Sequence, residues 1–173
     1  MADGDEKGRR AALRTLITAG SAAFGCALAA PALVFVAGPL ETKGGARERW
    51  IRTVKLEALH EGDPKKVAIV ADQRDAWMLT KNVELGAAWL IRRGDKVTAL
   101  SAMCPHLGCS VNADAAATFS CPCHASAFDA DGKRTSGPSP RDLDALPTRI
   151  EDGFVVVDFR SYRTGTADQV ETG

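Results

Sequence analysis

Two short stretches, "CPHLGC" at 104–109 and "CPCHASAFD" at 121–129, hold four of the chain's five cysteines and two of its three histidines. No other feature constrains the fold as strongly. Thiols and imidazoles are metal donors. To serve one metal, the two stretches must face each other as loops on a common scaffold. A set of unrelated core residues fits poorly, because both histidines sit beside cysteines in turn-like sequence.

The pattern is Cys-x-His in the first stretch and Cys-x-x-His in the second. Cys104, His106, Cys121 and His124 thus supply two thiolates and two imidazoles. That is the donor set of a Rieske-type 2Fe–2S centre, in which two histidines replace two cysteines on one of the irons. Structural zinc is the alternative, since it accepts the same donors. Zinc takes four ligands and leaves two cysteines without a role.

The apolar residues are concentrated elsewhere. Residues 15–40 read "TLITAGSAAFGCALAAPALVFVAGPL", with no charge. As a helix this spans a ~30 Å hydrocarbon core, and Pro31 within it is tolerated better in a membrane than in water. Lys7, Arg9, Arg10 and Arg14 precede the run; a positive flank stays in the cytoplasm, so the remainder is expected outside. Arg9 and Arg10 also give "GRRAALRTL" the look of a twin-arginine export signal. "ALA" at 27–29 offers a cleavage site, but apolar residues continue through Val36, which favours an uncleaved anchor. Cys26 reads as a small apolar residue of that helix.

The rest divides simply. Residues 1–14 form the cytoplasmic start, 15–37 the anchor and 38–49 a glycine-bearing, polar linker of flexible composition. Alternation in "TVKLEAL", 53–59, has the period of a half-buried strand, and "VAIVA", 67–71, reads as another. "AWLIRRGDKVTAL" and "RIEDGFVVVDF" each place a Gly–Asp or Asp–Gly turn between strand-like runs, the signature of a hairpin. No amphipathic helix is expected after residue 50. Lys+Arg and Asp+Glu balance at 22 each, which excludes a basic footprint for nucleic acid and an acidic disordered tail. His60, in polar "LHEGDP", reads as a surface loop residue.

Together these features resemble the Rieske iron–sulfur subunit of a quinol–cytochrome c (cytochrome bc/bf-type) complex. "CPHLGC" and "CPCHASAFD" carry the resemblance, and "GPSP" at 137–140 is similar to the proline loop that shields the cluster in that family. The resemblance implies an all-β head over 50–160, built of stacked antiparallel sheets with a small cluster-binding subdomain at 103–141. One N-terminal transmembrane helix precedes the head, and a C-terminal tail, 161–173, follows it. It implies one Rieske 2Fe–2S cluster on Cys104, His106, Cys121 and His124, with Ser126 as a hydroxyl beside it. Cys109 and Cys123 would then form a disulfide tying the two loops together, which requires an oxidising compartment.

The implied function is electron transfer. His106 and His124 meet the quinol, taking an electron coupled to a proton, and a c-type cytochrome receives the electron. The implied partners are cytochrome b-type and c-type subunits in a bacterial inner membrane, with the head on the periplasmic side, and the linker serves as hinge for a swinging head. The departures are Ala125, where many members have Gly, and Phe128, where high-potential members have Tyr. Without the phenol hydroxyl an intermediate potential is expected, favouring menaquinol over ubiquinol. The rival reading is the Rieske small subunit of a soluble exported oxidoreductase, such as an arsenite oxidase, released by cleavage near Ala29. A cytosolic Rieske ferredoxin or oxygenase component fits less well, given the leader and the Cys109/Cys123 pair.

Overall fold

The computed structural model describes residues 3–41, 49–74, 78–114 and 116–172. The chain forms two compact units, Met1–Gly45 and Ala46–Gly173. The first is one helix, α1 (Asp3–Glu41). Within its segment Gly8–Ala37 an 18-residue stretch has mean hydropathy 1.9, and none of that stretch is buried within the protein. At 1.5 Å per residue, thirty residues reach about 45 Å, more than a hydrocarbon core requires. The helix starts well before residue 15 and continues to Glu41, so the first residues assigned to the linker are helical. The rest of that linker, 42–48 with Gly44 and Gly45, lies outside the described residues.

The second unit is all-β. In chain order its strands are β1 (Trp50–Lys55), β2 (Lys65–Arg74), β3 (Leu79–Arg93), β4 (Lys96–Ser101), β5 (Asn112–Ala113), β6 (Phe119–Ser120) and β7 (Ala127–Phe128). They are followed by β8 (Arg134–Ser136), β9 (Ala145–Leu146), β10 (Thr148–Glu151), β11 (Phe154–Asp158), β12 (Ser161–Tyr162) and β13 (Glu171–Thr172). They form sheets ordered β1-β11-β10, β2-β3-β4-β9, β5-β6-β7-β8 and β12-β13, and the named pairings are antiparallel.

Both predicted hairpins form. Arg93 pairs with Lys96 around Gly94 and Asp95, and Glu151 pairs with Phe154 around Asp152 and Gly153. The second turn has φ of 50° and 77° at its two central residues, the mirror-image turn whose twist suits a hairpin. The strand expected over 53–59 is corrected. It ends at Lys55, and Leu56–Ala58 is a turn of 3-10 helix. The alternation was real but satisfied otherwise, since this turn brings Leu59 into the core at 2% exposure.

β3 explains how the head carries a site. Its run Ala88, Trp89, Leu90, Ile91 is buried throughout, and period two sends successive side chains to opposite faces. Ala88 and Leu90 join Ile51, Ile69, Val155 and Val157 in one core between the sheets of β3 and β11. Trp89 and Ile91 join Leu100, Val111, Phe119, Phe128, Cys104 and Cys121 in a second core on the other face. The Trp89 indole N–H donates to the Val111 carbonyl at 3.1 Å, and its ring packs 5.7 Å from Phe119. The small β5–β8 subdomain is thus pinned to the large sheet by an anchor that also meets its hydrogen-bond requirement.

Candidate metal centre

The two donor stretches hang from this second core as loops. The first leaves the end of β4, and the second is the loop of the β6–β7 hairpin, where Ser120 pairs with Ala127. Their backbones follow one plan. Cys104 N–H donates to the Cys109 carbonyl at 2.8 Å, and Cys121 N–H to the Ser126 carbonyl at 2.8 Å, five residues on in each case. Four residues after each leading cysteine stands a left-handed residue: Gly108 at φ 81° and Ala125 at φ 55°. The left-handed region suits glycine and costs alanine ~1–2 kcal/mol. The departure at Ala125 is therefore a matter of backbone conformation rather than of a tighter fit, as Ala125 is exposed. Ala125→Gly is expected to stabilise the head by about 0.5–1 kcal/mol, the relief being partly offset by the freer unfolded chain. A thermal midpoint raised by a few degrees is the expected reading, and a lowered one would contradict this account.

The donors fall into two pairs. Cys104 and Cys121 are both free and buried and belong to one core cluster. The His106 and His124 rings lie 4.8 Å apart, edge to face. His106 Nδ1 is buried without a hydrogen-bond partner, although its ring is only half-buried and His124 is exposed. Cys109 and Cys123 are joined as a disulfide with Cα atoms 6.6 Å apart, and the Cys121 sulfur lies within 4.8 Å of both bridged sulfurs. The bridge ties the first loop to the second and withdraws these two cysteines from ligation.

Burial pushes the Cys104 thiol up, and the neighbouring Cys121 adds to this; the His106 backbone N–H and the Ser126 hydroxyl pull it down. Ser126 is fully buried. Its oxygen accepts the Ser139 N–H at 3.1 Å. The two buried free thiols pack as small apolar groups, and the orphaned buried imidazole nitrogen is costly for the protein alone. They fit a bound cationic group, which would hold the sulfurs as thiolates and give Nδ1 its missing partner.

Above the second loop runs "GPSP". Gly137, at φ 86°, lies so close to it that an added Cβ would collide with the Ser126 Cα and stand 2.7 Å from the Ala125 oxygen. Phe128, where a Tyr would carry a hydroxyl, is 1% exposed and belongs to the core around both free thiols. His60 is exposed, as expected.

Four donors of this kind suit zinc or iron–sulfur chemistry alike, and comparison with known proteins separates the two. The Rieske [2Fe-2S] domain profile matches residues 49–147. The chain belongs to the Rieske family. Its cofactor is accordingly a 2Fe–2S cluster. The Bacillus subtilis menaquinol:cytochrome c reductase iron-sulfur subunit is 29% identical over 152 residues, 85% of this chain and 89% of that protein. The cytochrome b6-f complex iron-sulfur subunit of Chlorobaculum tepidum is 46% identical over 69 residues, 39% of this chain and 38% of that protein. Among solved structures, the plasma membrane Rieske protein of Synechocystis PCC 6803 shares 32% identity at TM-score 0.40, over 47% of this chain and 85% of that one. This Rieske chain is a subunit of oxidoreductase type, with an apolar N-terminal helix and a β head.

Sequence reasoning missed one part of the site. The C-terminal stretch 161–173, read as a tail, pairs β12 with β13, and Gly165 N–H donates to the Pro105 carbonyl at 2.8 Å. The contact uses backbone groups on both sides, so no residue type advertises it.

Proposed function

We propose that this chain is the electron-transfer subunit of a membrane quinol-oxidising complex, taking an electron and a proton from a quinol and passing the electron to a c-type cytochrome. The observation that carries the reading is the orientation of His106, whose inner nitrogen is buried and orphaned while the ring stays half-exposed. In this reading Cys104 and Cys121 hold one iron through sulfur, and His106 and His124 hold the other, His106 through Nδ1. The bound cluster supplies one-electron redox chemistry, at a potential raised by its neutral imidazole ligands.

The chain's own residues then do the rest. His106 and His124 present their outer ring nitrogens at the tip, where a quinol hydroxyl can hydrogen-bond and hand over its proton. Leu107, 62% exposed beside His106, offers apolar surface to the quinone ring. Ser126 would favour the reduced state as a hydroxyl beside the cluster, whereas Phe128 has no hydroxyl to add. That absence, and the name of the Bacillus subtilis relative, favour menaquinol. α1 serves as an uncleaved anchor, with Arg9 and Arg10 directing export through the twin-arginine route. The head faces the periplasmic side of a bacterial inner membrane beside b-type and c-type cytochrome subunits, with the linker after Glu41 as hinge.

The test is menaquinol-dependent reduction of a c-type cytochrome by carbonate-washed membranes containing the full-length chain. Activity is expected, lost in His124→Gln, and higher with menaquinol than with ubiquinol analogues. A soluble chain beginning near Ala30, with no quinol-dependent activity, would support the soluble oxidoreductase instead.

A further inference from the structure

Arg141 and Asp144 carry a pair of charges in a place where charge is costly. Their side chains are only 10% and 7% exposed. Arg141 Nε and Nη2 donate to the two Asp144 carboxylate oxygens at 2.8 Å each. The remaining guanidinium nitrogen, Nη1, donates to the Thr166 carbonyl at 2.6 Å and to its hydroxyl at 3.3 Å. A planar fork satisfied on three sides is something a lysine cannot supply.

The two ends of this clamp lie on different walls of the metal centre. On one side, Ser139 Oγ–H donates to the Arg141 carbonyl at 2.8 Å, and Ser139 N–H to Ser126 Oγ at 3.1 Å. Ser126 in turn belongs to the second donor loop, its carbonyl accepting the Cys121 N–H at 2.8 Å. On the other side, Thr166 follows Gly165, whose N–H holds the Pro105 carbonyl at 2.8 Å, one residue before His106. Asp144 is fixed as well, its carbonyl accepting the Ser101 N–H at 2.8 Å just before the first donor loop.

We propose that Arg141, gripping Asp144 and the C-terminal segment 163–166, is a positioning residue that sets the cluster's potential. It holds the 137–141 loop so that Ser126 and the backbone of the second donor loop keep their place, and it holds 163–166 so that the Pro105–His106 backbone keeps its place. This rests on the ligand reading above, which iron content checks separately.

The experiment uses the full chain with its cluster. In Arg141→Gln the reduction equilibrium is expected to fall about tenfold, a ~59 mV drop for a one-electron couple, because both donor loops lose the backbone bonds that fix them around the cluster. Deleting 163–173 should shift the potential the same way, and the double variant should shift it no further than the larger single change. Arg141→Lys should recover only part of the loss. Hydrogen exchange gives a readout independent of the cluster. The Ser139 and Gly165 amides should both exchange faster in Arg141→Gln, while the core amides of Ile69 and Val155 do not change. If the variant purifies without iron, the same comparison is made with iron-stripped wild type. A pair that is merely structural would reduce iron content and leave the surviving clusters at the wild-type potential. Wild-type potential, or wild-type exchange at either amide, would overturn the proposal.

Discussion

Gly137→Ala is expected to empty the metal centre while leaving the rest of the head folded. Gly137 has φ 86°, and its missing Cβ would meet the Ser126 Cα, the Ala125 oxygen and the Ser126 nitrogen. All three are backbone atoms of the second donor loop, so no side chain can swing aside. The left-handed conformation costs an alanine ~1–2 kcal/mol, and forcing the loop away adds ~1–3 kcal/mol of overpacking. Gly153→Ala is the matched control. It has φ 77° but nothing within 4 Å, so it pays the conformational cost alone, in a hairpin turn outside the donor loops. Iron content should collapse in Gly137→Ala and hold in Gly153→Ala. Equal iron in the two variants would show that the close approach at Gly137 does not matter.

Breaking the disulfide should have the second large effect. Cys109 and Cys123 are 14 residues apart in sequence, and on the chain-entropy account a loop of about this length is worth ~3 kcal/mol. The bridge also ties the loop carrying His106 to the one carrying Cys121 and His124. Cys109→Ser with Cys123→Ser removes the tie and no proposed ligand. The expected result is a cluster that binds but is lost several-fold faster on warming, at a somewhat lower potential. Cluster half-life by visible absorption is the measurement, with thiol counts on denatured wild type before and after reduction to establish the bond. An unchanged half-life would mean that the loops hold each other without it.

How legible all this is in the sequence depends on what each feature is made of. Features fixed by side-chain chemistry were readable. The two cysteine- and histidine-bearing loops are joined by the Cys109–Cys123 bridge, and Gly94–Asp95 and Asp152–Gly153 turn as two-residue hairpins must. The strand expected over 53–59 failed beyond Lys55, because apolar residues alternating with polar ones do not distinguish a strand from a 3-10 turn that also buries Leu59. The double-sided burial of β3 appears in sequence only as an unbroken apolar run. Ala125 was visible as a departure, but its left-handed backbone was not. The C-terminal stretch was least legible. Where it meets the first donor loop it is held through the Pro105 carbonyl, and a carbonyl looks the same in every residue. Arg141 and Asp144 gave only a short-range opposite-charge pair, a pattern common on surfaces, and their burial emerges only from the fold.

The central claim is that two thiolates and two imidazoles from the paired loops hold one 2Fe–2S cluster. Metal and sulfide analysis of the natively exported full-length chain, combined with electron paramagnetic resonance of its reduced form, tests this directly. The account predicts two irons and two acid-labile sulfides per chain, a rhombic spectrum, and hyperfine coupling to two histidine nitrogens, one of them lost in His106→Cys and one in His124→Cys. Stoichiometric zinc without iron, or a cluster with no nitrogen coupling, would contradict it.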